Sequence, residues 1–432
     1  MPLTGLSFPA VSAFDPPTAG EGSIDPMGLA AISDRLADLL VPGLRARMTR
    51  VRFVTATAVG SLACEPLADE PPADGISTPA ICFEWLVVEA FVRRLNVHGF
   101  PQAIPGSQKA RGVIGRSQRL SASTYLKGPT VFGFNGVYKP FAVDSGVVGS
   151  ALEPGIRCAG LSRRWERDQG FDGFTDGVPG GDGGRLRVQI RDEVRAALRS
   201  GHCATSPGSW LFGRVANSLR PDSLGSGERG ALRALLTDSE HDTRAELASR
   251  ISDLDPTLSE AQLLEVVRAK CSTSLGLIID AVVAYERFAA LVDAVFRTLC
   301  SISHSLGAQP LTASRVRDHH MVVRCAVELP DRYQRAADRI AALAPDVGLE
   351  QRLGEFAIGR TPAELVELVL AHHEQVQAVK LPNGKRSWFE PLRDGWVVRR
   401  PYGSAEQPQL GPRFVHPVRV APLLRFVQDT RP

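Results

Sequence analysis

The sequence predicts a mainly α-helical protein: a multi-helical body with a winged-helix-like N-terminal region and a small β-rich C-terminal appendage. Three observations lead there. Apolar residues recur at helical spacing in stretches spread between 27 and 379. In 275–306 the charges Asp280 and Arg287, and Glu286 and Asp293, fall seven apart, which confines them to one stripe and leaves the rest of a long helix to pack as a spine. From Lys380 onward that spacing gives way to prolines and hairpin signals. The 432 residues are 44% hydrophobic and 22% charged, enough for a buried core and too little charge for a disordered chain.

Residues 1–26 are rich in Pro and Gly and read as an irregular arm. A helix follows over 27–40, and 44–64, small and apolar after Arg45, Arg47, Arg50 and Arg52, suits either helix or strand. The acidic, Pro-containing 65–79 is a loop, and 81–95 returns to helical spacing with Phe83, Leu86, Val87, Ala90, Phe91 and Arg94. Loop-like sequence with short elements fills 100–127. A helix from Pro129 to Asp144 then stops at Ser145-Gly146 before Val147-Val148, the outline of a recognition helix, a Gly turn and a short strand as in winged-helix modules.

Seven glycines in 168–185 mark a linker, and with it the boundary between an N-terminal basic domain (27–167) and a helical bundle (186–379). The bundle reads as helices over 186–198, 228–236, 243–251, 260–270, 275–306, 332–343 and 362–379, with a capping box from Ser259 to Gln262. The tail 380–432 reads as short strands and turns, with Asn383-Gly384 and Asp394-Gly395 as hairpin signals. No repeat of fixed period occurs, so a solenoid is not supported.

The formal charge of +3 carries no message, but its distribution does. Between Glu89 and Asp144 there is no acid, while Arg93, Arg94, Lys109, Arg111, Arg116, Arg119, Lys127 and Lys139 lie inside. Interleaved with them are Phe91, Phe100, Tyr125, Phe132, Phe134, Tyr138 and Phe141. Cations, stacking faces and Gly-Pro joints are what phosphate and base contacts use, and nucleic acid, DNA first, is the matching polyanion. The expected contacts are Arg93, Arg94, Lys109, Arg111, Arg116, Arg119 and Lys127 to phosphate, with Tyr125 and Tyr138 stacking or hydrogen bonding. From Lys380 onward ten Lys/Arg face four acids, and Lys385, Arg386, Arg399 and Arg400 form a second candidate patch. The bland alternative pairs these cations with acids from distant segments and puts the aromatics in the core.

No phosphate loop, GxSxG elbow, HExxH helix or linear nuclease pattern is present, so no cofactor and no catalytic residue is assigned. Asp318-His319-His320 is similar to the metal-binding motif of the DHH phosphoesterases, and supports the alternative of a metal-dependent nuclease; otherwise it is a polar turn. His372-His373-Glu374 point about 100° apart on a helix and cannot readily share a metal, which leaves polarity of the helix face as their role. Seven scattered cysteines, an odd number without CxxC spacing, fit free thiols in a reducing cytoplasm. Residues 1–22 lack the basic start and apolar run of a secretory signal, and charges interrupt the longest apolar stretch, so no membrane association is expected.

The stretch LADLLVPGLRARMTRVRF (36–53), the Glu84 to Glu89 helix, the Gly112-Val113-Ile114-Gly115 turn and the Ser121 to Tyr125 segment together resemble uncharacterised bacterial proteins that accompany helicases in anti-phage defence islands. The resemblance covers about a quarter of the chain. It implies an accessory subunit beside a helicase or nuclease, with no active site to transfer. The leading expectation is a cytoplasmic nucleic-acid-binding or scaffolding subunit without its own catalytic site. A pure protein-interaction subunit is the further alternative.

Overall fold

The computed structural model describes residues 25–95, 104–238, 241–381 and 383–431. The expected arm therefore lies outside the described residues except for 25–26, and Phe100 lies outside them too. Every segment with helical apolar spacing is a helix. In chain order the first nine are α1 (Ala30–Leu40), α2 (Phe53–Cys64), α3 (Pro79–Arg94), α4 (Ser107–Gly115), α5 (Pro129–Phe132), α6 (Phe134–Asp144), α7 (Cys158–Gln169), α8 (Asp182–Ser200) and α9 (Trp210–Ser218). They continue as α10 (Ser226–Leu236), α11 (Asp242–Ile251), α12 (Glu260–Arg268), α13 (Thr273–Leu306), α14 (Ala313–Val316), α15 (His320–Ala341), α16 (Leu349–Leu353), α17 (Pro362–Ala378) and α18 (Val420–Asp429). Between α17 and α18 lie the antiparallel strands β1 (Phe389–Leu392) and β2 (Gly395–Val398). Among the described residues no helix is long and apolar enough to cross a membrane.

The chain divides into two units, each assembled from separated segments: one from the described part of Met1–Ala37 with Gly276–Pro417, the other from Asp38–Leu275 with Val418–Pro432. These units cut across the linear domains read from the sequence. The Gly-rich 168–185 has both its neighbours in the second unit and is pinned there. Phe171 and Phe174 pack on buried Trp165 (ring centroids 5.8 and 5.0 Å apart), Thr175 N–H donates to Glu166 (2.8 Å), and α8 begins at Asp182. The glycines here make tight turns, with Gly173 at φ +84°, rather than a tether.

In the first unit the middle of α13 meets α15, α17 and the hairpin. Phe288 packs edge-on against Tyr333 and Phe356, and Phe296 lies 4.7 Å from the His373 ring and 5.4 Å from Trp388. His372 and His373 are buried, contrary to a polar helix face. Trp388 N–H donates to His373 Nε2 (2.9 Å), so Nδ1 carries the proton donated to the Pro26 carbonyl (2.9 Å). Burial holds this ring down to about 4, hence neutral. Glu286 on α13, also buried, accepts from Ser33 Oγ, the backbone N–H of Val415 and His416, and His416 Nδ1. The hairpin pairs Phe389 with Val398 and Leu392 with Gly395, so its turn is Arg393-Asp394, one residue earlier than expected, with Arg393 at φ +56°. Gly384 (φ +75°) sits in a turn beyond α17, donating to the Lys380 carbonyl (2.6 Å), and is not a hairpin turn.

The second unit is built around α2, all twelve residues of which are buried. A helix covered on every side shows no apolar period, which is why its sequence suited helix and strand equally. Around it pack α3, α6, α7 and α8. Phe53 touches Phe91, Phe134 and Tyr138, and Gly60 admits Phe83, whose ring carbon lies 2.4 Å from where a Cβ would stand. Arg52 and Glu228 form an ion pair with fully buried side chains (3.0 Å). The helix α18 completes this core: Phe426 stacks on Tyr138 and meets Phe141 edge-on, and Glu260 receives the N–H groups of Val418 and Ala421 at its start. The sequence reading expected strands and turns there; Pro422 sits in the first helical turn, where a missing N–H costs nothing.

The winged-helix outline is not formed. α6 ends as expected at Ser145, with Gly146 at φ +67°, but its Phe134, Val137, Tyr138 and Phe141 face the core. Among the described residues of 27–167, β pairing is limited to the isolated bridges Ser121–His202 and Val148–Pro154, so no wing stands beside it.

Candidate nucleic-acid interface

The acid-free segment is seated on α3, which precedes and supports it. Thr78 caps α3 with its side-chain oxygen, and Pro79 fills the first position. The helix buries two glutamates. Glu89 accepts from Arg93 Nε (2.8 Å), Arg119 Nε (3.2 Å) and Leu120 N–H (3.0 Å). Glu84 accepts from the Tyr125 hydroxyl (2.9 Å) and Asn135 N–H (3.0 Å). Its partners are neutral, so burial dominates over these hydrogen bonds and pushes its carboxyl up to about 7. Two glycines frame this contact: a Cβ on Gly106 would stand 1.9 Å from the Tyr125 hydroxyl, and one on Gly133 would stand 1.9 Å from Glu84 Oε1. At the far end of the segment Asp144 also has internal partners, Arg244 (2.6 Å) and His241 (2.9 Å).

These anchors sort the expected cations into two groups. Arg93 and Arg119 are internal braces: both bond Glu89, Arg93 also lies 5.7 Å over the Phe212 ring, and Arg119 donates to the Thr205 carbonyl and Cys203. Neither stands ready for phosphate. Tyr125 and Tyr138 are likewise corrected. Both are buried, Tyr125 on Glu84 and Tyr138 accepting the N–H groups of Thr49 (2.8 Å) and Arg50 (2.9 Å), so neither offers a ring to a base.

The second group faces solvent. In α4, Ser107, Ala110 and Val113 turn inward at helical spacing, which sends Lys109 and Arg111 outward, and Arg116 at the helix end is exposed as well. Lys127 is exposed and Lys139 half-buried. Arg94 is exposed while donating to the carbonyls of Gly208 (3.1 Å) and Ser209 (2.9 Å).

The tail patch is not one surface of spare cations. Arg386 pairs with Glu390, and Arg399 is buried beside the same carboxylate (3.9 Å) with its guanidinium over the Tyr402 ring (5.5 Å). Lys385 is half-buried and Arg400 exposed. Arg419, Arg425 and Arg431, counted with them in the tail charge, belong to the other unit.

The sequence reading missed two exposed aromatic–cation pairs. Arg47 lies 4.5 Å over the ring of Phe132, which is 47% exposed; Arg214 lies 5.1 Å over that of Trp210, which is 55% exposed. The available signal was spacing: Leu211, Phe212, Val215 and Ala216 make the buried face of α9 and leave Trp210 and Arg214, four apart, beside it.

Asp318-His319-His320 forms the start of α15. His319 Nδ1 accepts from Met321 N–H (3.3 Å), the two imidazoles lie 4.4 Å apart, and exposed Asp318 sits 3.6 Å from Arg317. Among the described residues no group of three or more His, Cys, Asp or Glu side chains is arranged to hold a metal ion.

No family model, no curated protein and no solved structure matches the chain.

Proposed function

We propose that the second unit binds nucleic acid, DNA in the first place, through the solvent face of α4 and the turns after it. Lys109, Arg111, Arg116 and Lys127 make the phosphate contacts, and Arg94 extends the path. One observation carries this reading. The acids bounding the segment, Glu89 and Asp144, face internal partners, while Lys109, Arg111, Arg116 and Lys127 are exposed on a stretch that has no acid of its own. A cationic face of this kind attracts a polyanion at long range and fixes its backbone without reading sequence.

Four phosphate contacts give a slope of log affinity against log salt of about −3 to −4. The test is fluorescence anisotropy of the full chain with labelled DNA, comparing wild type with the triple variant Lys109→Glu, Arg116→Glu, Lys127→Glu. Arg111 is left in place because it also interacts within the protein. The variant should fold as wild type and lose binding; unchanged affinity at low salt would refute the proposal.

The setting follows from the resemblance: a binding or scaffolding subunit of a bacterial anti-phage defence complex, with hydrolytic or unwinding chemistry supplied by a helicase or nuclease partner. Copurification of such a partner, retained in the triple variant, supports scaffolding; its absence removes the defence-complex assignment and leaves nucleic-acid binding to stand alone.

A further inference from the structure

The loop 205–209 is tied down from the acid-free segment by two guanidinium groups. Arg94 holds the carbonyls of Gly208 and Ser209, and Arg119 holds that of Thr205. Ser209 then caps α9 by accepting from Leu211 N–H (3.2 Å). Trp210, the first residue of α9, emerges from this fixed loop with 55% of its surface in water even with Arg214 against its ring. Trp85 and Trp165 are fully buried, Trp388 is 9% exposed and Trp396 half-buried, so Trp210 is the tryptophan the fold leaves outside. Arg214 is itself held between Trp210 and Phe171 (4.9 Å), and the Asp182 carboxylate near it is bonded to Arg185 (2.6 Å). A large apolar ring kept in water on a braced loop contributes little to the core, and its orientation is set before any ligand arrives.

We infer that Trp210, braced by Arg214, is a stacking platform for an unpaired base, so that the ligand is a single-stranded nucleic acid. This rests on the binding proposed for α4 and names its substrate class. Duplex DNA offers phosphates and base edges, whereas an unpaired base offers the face that an indole stacks on. Arg94 links the two parts, since it belongs to α3, on which both α4 and α9 pack, and it bonds the loop that carries Trp210.

The experiment compares wild type, Trp210→Ala, Trp210→Phe and the triple charge-reversal variant, all full chain. The ligands are labelled oligo(dT), oligo(rU) and a duplex of equal length. Wild type should prefer a single strand. Trp210→Ala should weaken that binding by about 5- to 150-fold while duplex affinity and thermal midpoint stay unchanged. Trp210→Phe should retain most of the affinity and lose the quenching of intrinsic fluorescence that binding is expected to cause in wild type. Loss with either oligonucleotide supports the inference, and their ratio identifies the preferred sugar. If Trp210→Ala binds like wild type while charge reversal abolishes binding, or if wild type prefers duplex, stacking is overturned and the cationic interface stands. If wild type binds none of the ligands, both fall.

Discussion

Replacing Glu84 by Gln should flatten the dependence of stability on pH. The Glu84 carboxyl is buried against the Tyr125 hydroxyl and the Asn135 amide, and burial raises it from 4.5 to about 7. The folded protein therefore holds this proton more tightly than the unfolded chain does. The corresponding stabilisation is fully present below about pH 4.5 and is lost as pH rises through about 7. That gap is worth about 3 kcal/mol. Gln keeps the shape and both contacts: its oxygen accepts from Asn135 N–H, and its NH2 donates to the Tyr125 oxygen. Wild type should lose roughly 2 to 3 kcal/mol more than Glu84→Gln between about pH 5 and 8. Urea denaturation followed by the fluorescence of the neighbouring, fully buried Trp85 reads this difference, which cancels titrations common to both proteins. Parallel pH profiles would refute the reasoning, since they would mean that the carboxylate is charged throughout and held by its hydrogen bonds.

Glu89→Ala removes the common acceptor of Arg93, Arg119 and the Leu120 amide, and should destabilise the second unit by about 3 kcal/mol, discounted from a fully buried pair because both guanidinium groups reach water. Urea denaturation measures it; a loss under about 1 kcal/mol would show that water replaces the carboxylate. Gly106→Ala sets a Cβ at φ +77° against the Tyr125 hydroxyl and should cost about 2 to 4 kcal/mol through backbone strain and the broken contact to Glu84. A calorimetric midpoint equal to wild type would mean that Tyr125 moves aside without loss.

Much of the helical architecture was legible because amphipathic faces leave a period. The span 275–306 lies within α13, 362–379 nearly coincides with α17, and the capping box at Ser259 forms with Gln262. Where packing is two-sided or long-range, the period disappears. α2 is covered all round, and the residues of α18 find their partners on α6, α10, α11 and α12 far earlier in the chain. The interface was half legible for a related reason. An acid-free stretch can be counted from the sequence, but Glu89, at its edge, takes Arg93 from one helical turn away and Arg119 from 30 residues further on. Helical spacing pointed Lys109, Arg111 and Arg116 outward only once Ser107, Ala110 and Val113 were known to face the core. Tyr125 and Tyr138 looked like stacking groups because a phenol serves a core as readily as a surface.

The way α18 completes the second unit has a consequence for synthesis. Residues 276–417, which build the other unit, emerge between the bulk of the second unit and the helix that closes it. At about 5 to 20 residues per second, translation of that stretch takes roughly 7 to 30 s. Throughout that interval Tyr138 and Phe141 on the nascent chain lack the Phe426 ring that packs on them in the folded unit.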